Sequence, residues 1–279
     1  MSGKLYVVGT PIGNLEDITY RAVRILFEVD MVCAEDTRVT LKLLNHFDIK
    51  KPLVSCHEHI TPEKIERIVQ RIEAGETAAV VSDAGMPCIS DPGYEVVKLC
   101  RDRGIPVEAV PGPAAVTTAA AVCGLPAVRF NFEGFLSVAK KQRSEHLKSV
   151  ADTQNTLIFY EAPHKLRDTL ADMLYYFGDR KIAICRELTK VHEEVIRTTL
   201  SQAIEYYETT SPKGEFVLVV EGSRKKQEAE MTLDEAVAAA LELVRQGEKP
   251  TAAAKQAAKD SGYSRSEIYS RIAIQQENE

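Results

Sequence analysis

Three features of this sequence predict an α/β fold of two domains with a helical appendage. Residues 4–110 alternate short apolar runs with amphipathic segments, and a less regular mixture of strands and helices follows to about residue 222. The charged run Ser223-Arg224-Lys225-Lys226-Gln227 then precedes three further helical segments. The predicted division is 1–116, 117–222 and 223–279. A chain of 279 residues exceeds one ordinary core and suits two domains plus an appendage.

In the first part, 4–8 reads as a strand and 15–28 as a helix, with Ile18, Val23, Ile25 and Leu26 at helical spacing. Strands at 31–34 and 53–56 bracket a helix at 37–47. Thr61 before Pro62 predicts a capped helix start with proline at the first helical position, and Gly75 stops that helix. Small and β-branched residues at 78–81, bounded by turn chemistry, have the pattern of a buried parallel strand. Asp91-Pro92 predicts another helix start, Gly104 its end, and 107–110 a last strand. This βαβαβαβαβ order implies a mostly parallel sheet with right-handed crossovers.

The second part predicts a mixed sheet of α+β type. Its helices are expected at 114–122, 138–150, 165–177 and 200–207, and its strands at 129–135, 156–160, 181–186, 193–198 and 216–220. The last part reads as helices at 233–246, 251–259 and 265–276. Thr232 with Glu235, and Ser264 with Glu267, have capping-box spacing. Ser261-Gly262-Tyr263 makes the last two helices resemble a helix-turn-helix.

Composition excludes several classes. No stretch approaches the ~20 apolar residues of a membrane span, and the opening MSGKLYVVGTPIG enters a strand without a signal-peptide core. Six cysteines are scattered without a CxxC pair, as expected of reduced, buried thiols in a cytoplasmic protein. A net charge of −6 argues against a broadly basic nucleic-acid binder but leaves room for a local basic patch.

Function is expected where the strands of the first sheet end. The five carboxyl ends carry Gly9-Thr10-Pro11-Ile12-Gly13-Asn14, Glu35-Asp36-Thr37-Arg38, His57-Glu58-His59, Ser82-Asp83-Ala84-Gly85 and Pro111-Gly112-Pro113. Parallel strands bring all five to one edge, where ligands of open α/β sheets bind. The first loop is not a GxGxxG, and no GK[ST] follows a strand, so neither common nucleotide fingerprint is present.

The motifs GTPIGNLEDIT, AEDTR, CHEH, SDAGMPCISDPG and VPGPAAV, in this order and spacing, resemble the tetrapyrrole-methylase superfamily of S-adenosylmethionine enzymes. Within it they are similar to the ribosomal RNA small subunit methyltransferase I family, whose members methylate a cytidine ribose 2′-hydroxyl in small-subunit rRNA. FYEAPHKL and CRELTKVHEE extend the likeness through the second part. The resemblance implies a tetrapyrrole-methylase-like fold, S-adenosylmethionine bound folded in a cleft between two domains, and a homodimer. Carried across, it implies donor contacts at Pro11, Asp83, Ala84, Gly85, Ile89, Ala114 and Ala115. Small residues let backbone amides approach the ligand, and the helix start after Pro113 offers N–H groups. Glu161 and Glu187, at the ends of second-part strands, are expected either to line the opposite wall or to be surface carboxylates.

A ribose hydroxyl is a weak acid, so a base or positive charge near the developing alkoxide helps. The candidates are Glu35, Asp36, Arg38, His57, Glu58 and His59, taken as a cluster. Glu35 and Asp36 also suit a helix N-terminus electrostatically, with Arg38 as their ion partner. His57 and His59 beside Cys56 invite a metal reading, but the sequence names no third and fourth ligand, and no metal is expected. Lys140, Lys141 and Arg143 on one helix, and Arg265 and Arg271 on the last, are candidate RNA contacts or ordinary solvated faces. The alternatives are a methyltransferase acting on a tetrapyrrole and a ligand-sensing nucleic-acid-binding regulator. Two arginines are few for a DNA reader, so neither DNA nor a membrane is an expected partner.

Overall fold

The computed structural model describes residues 3–224 and 231–277. Lys225, Lys226 and Gln227 of the expected linker lie outside the described residues. The chain forms two compact units, 1–223 and 224–279.

The first unit begins with a five-stranded sheet of β1 (Lys4–Val8), β2 (Met31–Ala34), β3 (Leu53–Ser55), β4 (Thr77–Val81) and β5 (Val107–Val110), in the order β3-β2-β4-β1-β5. Every pairing in it is parallel. Crossovers are α1 (Tyr20–Glu28), α2 (Thr37–His46), α3 (Pro62–Glu73) and α4 (Tyr94–Asp102). The period-2 alternation of the strands divides the core between the two faces. Leu5, Met31, Cys33, Ala78 and Val80 pack with α3 and α4, while Val8, Val32, Ala34, Ala79 and Val81 pack with α1 and α2. Inner strands buried on both faces read as continuous apolar runs, which is why 78–81 was legible.

Two helix starts differ from expectation, and a third begins where expected but without its side-chain cap bond. Residues 15–28 are not one helix: Leu15–Asp17 is a 3-10 turn, the chain is extended at Ile18 and Thr19, and α1 starts at Tyr20. Two side chains compete to cap here, Asn14 accepting from Glu16 N at 3.1 Å and Thr19 from Ala22 N at 3.1 Å. Thr61 sits at the cap of α3, but its hydroxyl makes no cap bond to the backbone. Asp91-Pro92 does not open α4. The helix begins after Gly93, whose φ of +115° turns the chain, and Asp91 stays inside the preceding loop.

The second sheet follows, with α5 (Ala115–Val122), β6 (Phe130–Phe135), α6 (Lys140–Val150), β7 (Thr156–Glu161), α7 (Leu166–Phe177), β8 (Lys181–Arg186), β9 (Glu194–Thr199), α8 (Leu200–Thr209) and β10 (Phe216–Val220). Its order is β6-β7-β10-β8-β9, with β6–β7 parallel and the rest antiparallel, so the sheet is mixed. Leu157, Phe159, Ile182, Ile184 and Leu218 bury one face under α6, α7 and α8. The other face carries Ile158, Ala183, Val217 and Val219 against α5. Ile12, from the loop after β1, packs into that same cluster and joins the first sheet's edge to the second sheet.

The second unit is α9 (Leu233–Arg245), α10 (Pro250–Ser261) and α11 (Arg265–Glu277), closed on a small core of Ala236, Ala240, Ala254, Ile268 and Ile272. The Thr232–Glu235 capping box forms in both directions. Gly262 ends α10 at φ +76°, and the Ser264 hydroxyl accepts from Glu267 N. Among the described residues, no helix is long and apolar enough to cross a membrane.

Candidate functional site

The carboxyl edge of the first sheet is an interlocked rim of bare backbone. Thr10 and Gly85 exchange both backbone hydrogen bonds, at 2.9 and 3.1 Å, joining the loops after β1 and β4. The loops after β1 and β5 cross glycine against glycine: a Cβ on Gly112 would lie 2.9 Å from the carbonyl carbon and oxygen of Gly9. Gly85 itself has φ +88°, so only glycine adopts this turn without strain. Pro11, Ala114 and Ala115 are half-buried at this rim; Asp83, Ala84 and Ile89 are exposed.

Carboxylates crowd the strand ends beside it. Asp83 N donates to Glu35 Oε2 at 3.2 Å and Asp36 N donates to Asp83 Oδ1 at 3.0 Å, so the loops after β2 and β4 hold each other. Asp36 caps α2 and binds Arg38 through both oxygens, which holds its carboxyl down to about 2. Glu35 goes the other way: burial raises it, with Asp83, Asp36 and Glu58 as further negative neighbours. Asp91, unassigned by the sequence reasoning, is pushed up to about 6 by burial and by Glu35 and Asp83. Its place in the 86–93 loop, rather than on a helix start, is what brings it here. The pattern Asp-Pro reads as a cap, which hid it.

The second sheet meets this rim through strained turns. Cys88 and Ser90 have φ of +68° and +63°, and Gly134 at the bulge of β6 faces Ser90 Oγ. Glu187 and Thr189, just after β8, have φ of +51° and +66°. Such conformations persist where the surroundings impose them and cluster at ligand sites. Gly13 packs on Thr189 and on the stem of Lys190. Thr189 Oγ1 is buried with no hydrogen-bond partner among the described residues, an unsatisfied polar atom of a kind that is uncommon in folded chains. The Tyr160 hydroxyl accepts from Val116 N at 3.1 Å, so one N–H of the α5 start is already taken. Thr189, Tyr160 and Lys190 carried no signal in the sequence beyond lying inside the motifs CRELTKVHEE and FYEAPHKL.

Other sequence-derived candidates are spent elsewhere. Glu161 is a correction: it is 2 % exposed, accepts Thr169 Oγ1 at 2.6 Å and Ala162 N at 2.8 Å, and ties β7 to α7 from inside. Glu187 accepts Lys190 Nζ and Glu215 N, both at 2.9 Å, and Lys190 holds its carboxyl below the usual range. It braces the β8 turn through Oε1 and is not a loose surface group. Arg143 is corrected too, being mostly buried in an ion pair with Asp172 at 2.6 Å. Arg271 pairs with Asp234 inside the second unit. Lys140, Lys141 and Arg265 are exposed. His57, Glu58 and His59 form one exposed turn in which His57 Nδ1 accepts from His59 N at 3.1 Å. The two histidines are therefore not strand residues aimed at one point, and among the described residues no cluster has the make-up of a metal site.

Comparison with known proteins places the chain in a family. The profile of the Tetrapyrrole (Corrin/Porphyrin) Methylases matches residues 4–204, which makes the chain a member of that class of methyltransferases. Proteins called ribosomal RNA small subunit methyltransferase I are 48% identical in Halalkalibacterium halodurans, over 96% of this chain and 93% of that one, and 50% identical in Thermotoga maritima, over 79% and 99%. The chain belongs to the ribosomal RNA small subunit methyltransferase I family of the tetrapyrrole methylases. In fold it is similar to diphthine synthase, with TM-score 0.60 and 15% identity over 79% of this chain and 90% of that one. It is also similar to uroporphyrin-III C-methyltransferase from Thermus thermophilus complexed with S-adenosylhomocysteine, with TM-score 0.55 and 20% identity over 78% and 97%.

Proposed function

We propose that this protein transfers a methyl group from S-adenosylmethionine to the ribose 2′-hydroxyl of a cytidine in small-subunit ribosomal RNA, acting in the cytoplasm as a homodimer. The observation that carries the donor half is the rim: three loops locked by glycine contacts, with the unpartnered Thr189 hydroxyl packed beside Gly13 of the first of them. A rim of this kind suits a ligand with an adenine ring, ribose hydroxyls and a carboxylate, each served by backbone groups or one hydroxyl. The activity for which the family is named supports the acceptor half.

The donor supplies an activated methyl on a good leaving group, so the residues must align the acceptor, exclude water and take one proton. Asp91, ionised above about pH 6, is suited to accept the hydroxyl proton near neutrality. Glu35 and Asp83 beside it form a negative group that favours a cationic donor over its neutral product. Arg38, with an 86% exposed side chain, stands at the mouth where an RNA backbone passes.

Incubation with labelled donor and small ribosomal subunits, followed by mapping of the modified nucleotide, tests the whole reading. A label on one cytidine ribose is expected; label on a base, or none, would overturn the acceptor assignment. Label on an added tetrapyrrole instead would favour the alternative acceptor. Sedimentation velocity at micromolar concentration is expected to report a dimer.

A further inference from the structure

On the α2 side of the rim lies a cavity of about 210 Å³ that shares Pro11 and Asp83 with the rim and extends over α2. Its walls are the aliphatic side chains of Pro11, Leu15, Val39 and Leu43. Ser82, Asp83 and Lys42 add polar groups to the lining. Pockets that take whole small ligands run to ~300–1,000 Å³, so this one suits a single ring system and not a complete donor. Leu15 and Val39 remain 40% and 38% exposed at its mouth, although their neighbours Thr40 and Leu44 are buried in the core.

We infer that this cavity receives the base of the RNA nucleotide whose ribose is methylated, swung out of its strand. The inference rests on the rRNA reading above and specifies its acceptor site. Aliphatic side chains can sandwich a planar ring. Asp83 uses Oδ1 for Asp36 N at 3.0 Å, and its other oxygen makes no hydrogen bond among the described residues. A carboxylate accepts from the exocyclic amino group of cytosine, a contact that uracil cannot make. Along α2, Arg38 and Lys42 lie one turn apart, both exposed, beside the row Val39 and Leu43 that lines the cavity. They provide a cationic track for the phosphates in a chain whose net charge is −6. Pro11 and Asp83 belong to both cavity and rim, so a base held here leaves its ribose at the donor.

The test combines two measurements. In the first, ¹³C-methyl NMR follows Leu15, Val39 and Leu43 in protein saturated with S-adenosylhomocysteine, on addition of cytidine 5′-monophosphate or ribose 5-phosphate. Shifts with the nucleotide and none with the sugar phosphate are expected. Unmoved methyls, or shifts fully produced by S-adenosylhomocysteine alone, would overturn the inference. In the second, Leu43→Trp and Val39→Trp fill the cavity. Each is expected to keep donor affinity by calorimetry and to lower kcat/KM for small subunits roughly 10- to 100-fold, the range that stacking of a single base supplies. Leu43→Met is expected to restore most of it. If the wild-type protein methylates subunits and the filled variants do so equally well, the cavity assignment falls and the rRNA reading stands. If the wild type methylates no RNA, the rRNA reading falls, and nucleotide-specific methyl shifts would then leave only a nucleotide site.

Discussion

The carboxyl ends of the first sheet and those of β7 and β8 look alike in sequence, each placing a carboxylate just past an apolar run, yet they do opposite things. At β7 and β8, Glu161 and Glu187 are consumed by the chain itself, one by a hydroxyl and an amide, the other by a lysine and an amide. At the first sheet, Glu35, Asp83 and Asp91 face one another, so burial and like charge push Glu35 and Asp91 up while Lys190 pulls Glu187 down. A carboxylate after a strand is therefore not by itself a sign of function. What separates the two regions is the charge left uncompensated, which under the proposed function a cationic methyl donor would compensate.

The largest effect is expected at the glycine crossing that shapes the rim. Gly112→Val puts a branched side chain into the backbone of Gly9, with no flexible group to move aside. The loops after β1 and β5 must part. A loss of donor affinity beyond about 100-fold is expected, together with overpacking of roughly 1–3 kcal/mol seen in urea unfolding. Affinity within threefold of wild type would show that the rim does not hold the donor.

Glu161→Ala should act on stability alone. It leaves a buried cavity and an unpaired Ala162 N–H, for a cost of about 2–4 kcal/mol. Donor affinity is expected to stay within twofold, and a large loss of affinity would return Glu161 to the cleft wall.

The charge difference has its own pH signature. Below about pH 6 Asp91 takes up a proton and the rim loses negative charge. Affinity for S-adenosylmethionine should rise as pH climbs through about 6, while that for neutral S-adenosylhomocysteine stays flatter; parallel curves would reject the charge argument. Asp91 also binds its proton more tightly folded than unfolded, so it lowers stability as pH rises from its unfolded value to about 6. Asp91→Asn is thus expected to raise Tm above that pH, with the gain fading near pH 4.

How much of this was legible follows from the same physics. The parallel sheet could be read residue by residue because buried strands are uninterrupted apolar runs and each crossover helix is amphipathic. The rim was legible because a backbone crossing demands glycine at Gly9 and Gly112, and a left-handed turn demands it at Gly85. Asp91 and Glu161 were misread because Asp-Pro also caps helices and because burial of a single carboxylate depends on a partner, here Thr169, eight residues away. Arg143 was counted with Lys140 and Lys141 because helical spacing does not reveal Asp172 across the α6–α7 contact. That last error sharpens into a measurement. Lys140→Ala with Lys141→Ala should reduce the slope of RNA affinity against salt by roughly one unit for each phosphate no longer neutralised, whereas Arg143→Ala should lower Tm and leave the slope alone.

The smallest effect is expected from the unit beyond residue 223. The Thermotoga maritima relative aligns over 220 residues of this chain with 99% of its own length. A match of that size is about the length of the first unit, 1–223. Those helices are held by their own alanine-rich core, the Arg271–Asp234 pair lies on their surface, and both candidate cations, Arg265 and Arg271, are exposed. Removing 224–279 should therefore leave donor affinity and the Tm of the first unit unchanged. It should raise KM for small subunits only a few-fold, about what one or two phosphate contacts supply. An unchanged KM would reduce the helices to a packing appendage. A collapse of donor binding would show that the first unit depends on them after all.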